Sequence, residues 1–564
     1  MKFRDYIYKR PNLEEIGKEF EHTIEVLKTA LSDAEQIEAI HRINQVRRTY
    51  DTMASLCYVR SAIDTTDAYY EREQDYFDEN DPLYSSYEHR LGIELLNSKF
   101  RSELDKHFGH QLFALLEAKQ KTFKPEIIDD LKEENRLVTE YRKLTASAKI
   151  EFNGKINNLS QMGPYLIDTN RQVRRDAEKA IADFFKINEN KFDDIYDRLV
   201  KVRDKIGRKL GFANFIEVGY ARLGRTDYTK YEVESYRMQV ERDLVPLSEE
   251  IITAKMKRLG IDDPKSYDLG IDFKSGNPTP YGCPSELVNS AQKMYHELSS
   301  ETGEFIDFMI NRELLDLEAK AGKSGGGFCT YFFDYKSPFI FSNFNGTSGD
   351  VDVLTHEAGH AFQVYTSRNS QVLEYLWPTY EACEVHSMSM EFFAWPWMEL
   401  FFKDDADRYR YQHLAGTVTF IPYGVLIDEY QHRVYEEPNL SPDERKKVFR
   451  ELEKKYMPYK VYENEFFDKG TFWFRQSHVF ATPFYYIDYT LAQVCAHQFW
   501  LLDRKNHQDA WSRYYHLCSL GGSMSFIALC NAIGLKNPFV AGTVQAITAA
   551  IKSYLDGFDP SKLV

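Results

Sequence analysis

The sequence His-Glu-Ala-Gly-His at residues 356–360 constrains this chain more than any other feature. Two histidines four residues apart lie on the same face of an α-helix, where both imidazoles can reach one metal ion. The surrounding residues fit a helix, because turn and capping residues precede the motif and apolar residues recur around it at helical spacing. The sequence therefore predicts a helix that carries two metal ligands, His356 and His360.

This pattern also predicts which metal is bound and what it does. Zinc binds neutral imidazole nitrogens, and a catalytic zinc site uses three protein ligands and keeps a fourth position for water or substrate. Glu357 directly follows the first histidine, so its carboxylate would lie close to that water. We therefore predict one Zn²⁺ ion and assign Glu357 as the general base.

A third ligand is expected from the acidic segment 379–393. Its glutamates Glu381, Glu384 and Glu391 recur on one helical stripe that is otherwise apolar. Carboxylates in such surroundings need a cation opposite them, and the crowding of Met, Phe and Trp side chains argues against a solvated charged face. Glu384, the central member, is the predicted ligand. Glu381 and Glu391 are predicted to hydrogen-bond the ligand histidines.

Four segments carry the pattern of a known family: residues 352–362, 380–387, 478–489 and 520–525. They resemble the thimet oligopeptidase and neurolysin family of zinc metallopeptidases, especially its oligoendopeptidase F and Pz-peptidase branch. The resemblance is strong from about residue 325 to 534 and looser before about residue 190. It implies an endopeptidase that cuts short peptides in a deep channel between two mostly helical lobes, with Glu384 at the position of the family's glutamate ligand.

The aromatic segment 473–489 is the second candidate for chemistry. Peptide hydrolysis develops negative charge on the carbonyl oxygen, and phenol and imidazole donors stabilise it. The resemblance implies that a histidine and tyrosines of this segment approach the substrate. We assign Tyr489 and His478 to the oxyanion and Tyr485 and Tyr486 to substrate binding. Which of the three tyrosines contacts the oxyanion stays open, and at least one of them could serve only in aromatic packing.

Two aromatic runs, Phe328–Phe333 and Pro338–Phe344, predict a small β-hairpin just before the metal helix. Its edge could pair with an extended peptide, and Asn343 is assigned to substrate binding; a purely structural sheet is the alternative. The Gly-rich residues 322–327 lack the glycine spacing of a phosphate-binding loop, and the segment before them is predicted to be a helix rather than a strand. They are interpreted as a flexible loop over the channel.

The remaining chain predicts a mainly α-helical fold with two helical lobes flanking the channel. Its 564 residues exceed what one core usually organises, and helical periodicity dominates the first two hundred. We expect an N-terminal helical lobe at 1–195 and a catalytic domain at 196–564. A long helix is predicted from Tyr231 to just before Gly260, with a kink at Pro246.

Composition narrows the partners. The net charge of −16 argues against nucleic-acid binding. Seven scattered cysteines predict no disulfide framework, and no apolar run is long enough to span a bilayer. We expect a cytoplasmic protein that acts on short peptides and does not bind membranes. The sequence leaves open whether it is a monomer or a small homo-oligomer.

Two other functions remain open. The same zinc site serves carboxypeptidases and dipeptidyl carboxypeptidases, for which Arg475 is a candidate to bind the terminal carboxylate. A non-catalytic helical peptide-binding protein with structural zinc or none is disfavoured, because a structural site closes its fourth position with a further side chain and Glu357 would have no role.

Overall fold

Helices dominate the computed structural model, which describes residues 1–563. The first part of the chain forms nine helices: α1 Leu13–Thr29, α2 Asp33–Ile63, α3 Ala68–Leu96, α4 Arg101–Phe108, α5 His110–Gln120, α6 Ile128–Ala146, α7 Gly163–Leu166, α8 Arg171–Ile187 and α9 Glu189–Leu210. A hydrophobic cluster of its own joins helices α1 to α5 and takes in Val372 and Tyr375 from later in the chain. The predicted mainly α-helical class is confirmed.

The later helices surround a larger core that also includes α6, α8 and α9. They are α10 Ile216–Arg222, α11 Lys230–Asp243, α12 Val245–Leu259, α13 Pro284–Leu298, α14 Ser300–Asn311, α15 Gly349–Ser367, α16 Tyr380–Phe393, α17 Glu399–Phe402, α18 Ala406–Glu436, α19 Pro442–Tyr456, α20 Ser477–Ala481, α21 Tyr486–Asp503, α22 His507–Leu520, α23 Phe526–Ala532 and α24 Thr543–Asp556. No helix within residues 1–563 has the length and apolar character needed to cross a membrane.

Two expected boundaries differ from the structure. The predicted domain border at residue 195 falls inside the continuous helix α9, where Ile195 is buried in the larger core. The two-domain division therefore stays a prediction, and the backbone has no break at that point. The single long helix predicted from Tyr231 is two helices, because α11 ends at Asp243 and Pro246 lies in the first turn of α12, where a missing N–H costs nothing.

Two small sheets complete the fold. Strands β1 Ile150–Phe152 and β2 Lys155–Asn157 form one hairpin, and β3 Leu315–Glu318, β4 Phe328–Phe332 and β5 Ser337–Phe344 form a sheet in the order β3-β5-β4. The predicted hairpin is confirmed as the antiparallel pair β4 and β5, with Phe328 opposite Phe341. Strand β4 lies at the sheet edge, and β5 leads directly towards α15. The prediction of a helix just before residue 322 is wrong, because β3 lies there and pairs with β5 in parallel.

Candidate metal centre

Helix α15 presents His356 and His360 side by side, one turn apart. The start of this helix is fixed by Asp350, whose carboxylate accepts hydrogen bonds from the backbone N–H groups of Asn345 (2.9 Å) and Gly346 (2.8 Å). The two imidazole rings have centroids 5.0 Å apart and stand nearly perpendicular. Both Nε2 atoms therefore face the same space next to α16.

The predicted third ligand converges on the two histidines. Glu384 Oε2 on α16 lies 3.2 Å from His356 Nε2 and 3.3 Å from His360 Nε2. Zinc bonds of about 2.0–2.1 Å in a tetrahedron place neighbouring ligand atoms about 3.3–3.4 Å apart, so these separations and this donor set fit a zinc ion. Within residues 1–563, this is the group of three or more potential metal ligands whose ligand atoms lie within 4.8 Å of one another.

Direct backbone contact between α15 and α16 sets this geometry. A Cβ atom added to Gly359 would lie only 2.6 Å from His386 O and 2.6 Å from Ser387 Cα. Real Cβ atoms do not come so close to backbone, so this position accepts only glycine. The glycine between the two histidines thus lets the Glu384 helix come close enough to complete the site.

Glu391 hydrogen-bonds the predicted ligand His356 on the side of the ring away from the metal position. Its Oε1 lies 2.7 Å from His356 Nδ1 and its Oε2 lies 2.7 Å from His413 Nε2. Trp395 Nε1 donates to His413 Nδ1 at 3.2 Å, which assigns the proton of His413 to Nε2. Both imidazoles therefore donate to the carboxylate, which fixes the ring of His356 with Nε2 towards the metal position. Sequence reasoning missed His413, which belongs to no motif.

Glu381 does not contact the histidines. Neither of its carboxylate oxygens has a hydrogen-bond partner, although the residue is fully buried. Burial raises the pKa of Glu381 to about 7, and the charge of Arg225 opposes that rise. The predicted bond from Glu381 to a ligand histidine is therefore wrong. His360 Nδ1 is buried without a hydrogen-bond partner.

The predicted general base lies beside the ligand cluster. Glu357 is buried, and burial raises the pKa of its carboxyl while the neighbouring His356 and His360 lower it. Its Oε2 has no hydrogen-bond partner. A Cβ atom on Gly327 would lie 3.3 Å from Glu357 Oε1, so the Gly-rich loop passes directly over this carboxylate.

His478 and Tyr489 are linked by a chain of hydrogen bonds. Tyr423 Oη donates to Gln476 Oε1 (3.1 Å), Gln476 Nε2 donates to His478 Nδ1 (2.9 Å), and His478 Nε2 lies 3.1 Å from Tyr489 Oη. Because Gln476 donates to Nδ1, the proton of His478 belongs on Nε2 and is donated to the Tyr489 oxygen. The phenol proton of Tyr489 is then free to point elsewhere. Gln476, which orders this chain, was not predicted.

The other two tyrosines differ in position. The Tyr485 hydroxyl donates directly to Glu384 Oε1, the carboxylate oxygen that does not face the histidines. Tyr486 packs edge-on against His478, with ring centroids 5.1 Å apart. Together with Tyr489 it lines a cavity of about 580 Å³ that also reaches Glu391 and His413. Tyr485 thus lies at the metal ligand and Tyr486 in the cavity wall.

Asn343 holds the Gly-rich loop. Its Nδ2 donates to the carbonyls of Ser324 and Gly326, both at 2.8 Å, and only its Oδ1 is left without a partner. Lys323 anchors the same loop, because its buried ammonium donates to Asp316 and stacks 4.4 Å from the Phe341 ring. The loop is therefore anchored from residue 322 to residue 326, next to the glycine that lies over Glu357. Substrate binding by Asn343 stays a prediction.

Comparisons with known proteins find family matches along most of the chain. The profile of the Peptidase M3 N-terminal domain matches residues 3–123, and that of Peptidase family M3 matches residues 165–549. Pz peptidase A, solved with inhibitor 2, is 50% identical with a TM-score of 0.99 and 100% coverage of both chains. A candidate oligoendopeptidase F from Bacillus anthracis str. Ames is 50% identical with a TM-score of 0.94, covering 100% of this chain and 99% of that one.

The chromosomal oligoendopeptidase F of Lactococcus lactis subsp. cremoris is 27% identical over 136 residues, which are 23% of this chain and 21% of that protein. This alignment spans only about a fifth of the curated relative. The M3 profile, in contrast, covers more than half of the chain. The resemblance to the oligoendopeptidase F and Pz-peptidase branch is confirmed. The prediction of a metalloendopeptidase is confirmed at the level of the family. The chain belongs to peptidase family M3.

Proposed function

We propose that this protein is a zinc-dependent endopeptidase that hydrolyses internal bonds of short peptides. The observation that carries the proposal is the convergence of His356, His360 and Glu384 on one point, with Glu357 beside it. A structural zinc site would close the fourth position with another Cys or His, and no such side chain joins this group among the described residues.

The roles of the side chains follow from their positions. His356, His360 and Glu384 would hold the ion, which supplies Lewis-acid activation of the scissile carbonyl and of water when bound. Glu357 accepts a proton from the attacking water and delivers it to the departing amine. Tyr489, whose oxygen accepts from His478, directs its own proton to the carbonyl oxygen and stabilises the negative charge that develops there.

Cleavage of internal bonds is favoured over removal of C-terminal residues. A carboxypeptidase needs a cation that binds the terminal carboxylate close to the metal. Arg475, the candidate for this role, is solvent-exposed, stacks 4.9 Å from the Phe472 ring and does not line the cavity.

The seven cysteines are all free thiols, which supports a reducing compartment such as the cytoplasm.

Peptides blocked at both ends test the proposal. The protein with zinc should cut them internally, and mass spectrometry of the products locates the cleaved bond. A zinc chelator should stop cleavage, and added zinc should restore it. Cleavage only of peptides with a free C-terminal carboxylate would favour a carboxypeptidase. Peptide binding without any cleavage would favour a binding protein.

A further inference from the structure

Phe484 has a backbone conformation that L-amino acids rarely adopt. Its φ is +67°, in the left-handed region, and it has neither the freedom of glycine nor the compact polar side chain of asparagine. Such a conformation persists only where the surroundings impose it, and it is commonly found at functional sites. Phe484 directly precedes Tyr485 and lies two residues before α21, the helix that carries Tyr489.

Buried side chains hold both backbone polar groups of Phe484. Its N–H donates to Gln431 Oε1 at 3.2 Å, and its carbonyl accepts from Arg225 Nη2 at 2.6 Å. The same Nη2 atom donates to Asp488 Oδ1 at 2.6 Å, in the first turn of α21. The side chains of Arg225 and Asp488 are both fully buried. One guanidinium thus ties the strained residue to the start of the helix that follows.

The ring of Phe484 is also held in place by its neighbours. It is fully buried and packs against Tyr220, His432 and Tyr435, with centroids 5.6, 4.9 and 5.4 Å away. A Cβ atom on Gly219 would lie only 2.6 Å from Phe484 Cδ2. The ring therefore rests directly on the glycine backbone, and any larger residue there would displace it.

We propose that Gly219, Arg225, Gln431 and Phe484, here called the Phe484 clamp, position the phenols of Tyr485 and Tyr489 for catalysis. The inference rests on the proposed peptidase function. None of the four residues belongs to the metal-ligand group or lines the cavity beside it. They act through the chain that leaves Phe484, since Tyr485 donates to Glu384 and Tyr489 accepts from His478. An error of about 1 Å in such groups costs on the order of a hundredfold in rate.

Gly219→Ala tests the clamp with a single methyl group. Displacement of the Phe484 ring should lower kcat on a blocked peptide about 10- to 100-fold, with little change in KM and in bound zinc. Gly17→Ala is the matched control, because a Cβ on Gly17 in α1 would also crowd an aromatic side chain, at 2.9 Å from Tyr87 Oη in α3. The control should keep the kcat of the wild type.

A second arm separates positioning from general damage. In a background with Tyr485→Phe and Tyr489→Phe, Gly219→Ala should change the residual kcat less than twofold, because the phenols it displaces are gone. An equal loss of kcat from Gly219→Ala in the wild type and in the double variant would overturn the clamp. An unchanged kcat when Gly219→Ala is made in the wild type would also overturn it. If Gly219→Ala does not fold, Gln431→Met replaces it, since it removes the acceptor of the Phe484 N–H at similar volume. A wild type that cuts no blocked peptide refutes the peptidase proposal instead.

Discussion

Glu391 offers the sharpest test of how the site is built, because each of its oxygens accepts one imidazole proton. In Glu391→Gln, one oxygen becomes an amide NH₂ that cannot accept. If the remaining oxygen serves His356, the NH₂ faces His413 Nε2, which also carries a proton. His413 cannot change tautomer without losing the bond from Trp395 Nε1 at 3.2 Å. One of the two 2.7 Å hydrogen bonds is therefore lost in either orientation.

The lost hydrogen bond should appear as weaker binding of zinc. Loss of a partner that orients a metal-bound histidine weakens metal binding about 10- to 100-fold, or about 1.4–2.7 kcal/mol. Competition with a chelator of known affinity measures the dissociation constant for zinc. Glu21→Gln is the control, because Glu21 in α1 is solvent-exposed and pairs with Arg90 in α3, and both helices belong to the hydrophobic cluster that does not include α15 or α16. An unchanged zinc affinity in Glu391→Gln would refute the role given to Glu391.

Three further outcomes are expected. Glu357→Gln should retain zinc yet lose about 10²- to 10⁴-fold in kcat, and retained turnover would remove the general base. Tyr489→Phe should lower kcat about 10²- to 10³-fold and leave KM nearly unchanged, whereas an effect on KM alone would assign Tyr489 to substrate binding. Burial and the Glu88 carboxylate raise the pKa of Asp51 to about 7, so the folded state holds the extra proton and loses stability as pH rises from about 4 to 7. Asp51→Asn should therefore raise Tm more at pH 8 than at pH 5, and equal shifts would contradict the raised pKa.

The candidate metal ligands could be found from sequence because the spacing of the two histidines is a local property of one helix. His356 and His360 share a face of α15 at any tertiary arrangement, and a carboxylate on an apolar helix needs a cation nearby. The same logic failed for Glu381. It lies one turn before Glu384, but its surroundings include Arg225, which comes from a distant part of the chain. Spacing within one helix does not show which neighbour lies against each turn.

The residues that orient the side chains of the site could not be predicted from sequence, for the same reason. His413 lies on α18 and Gln476 precedes α20, and neither has a spacing relation to the residue it orients. The helical class follows from apolar spacings of three and four, and the β4-β5 hairpin follows from two aromatic runs separated by a short polar segment; both signals are local. Helix breaks were less visible, because Pro246 begins a helix as readily as it bends one.

The backbone contact at Gly359 has a consequence for the site when no ion is bound. Glu384 Oε2 lies 3.2 and 3.3 Å from the two imidazole nitrogens. Widening that gap would pull apart two helices that touch through main-chain atoms. The three side chains should therefore stay close together when the ion is removed, so that zinc can bind again without a rearrangement of the two helices.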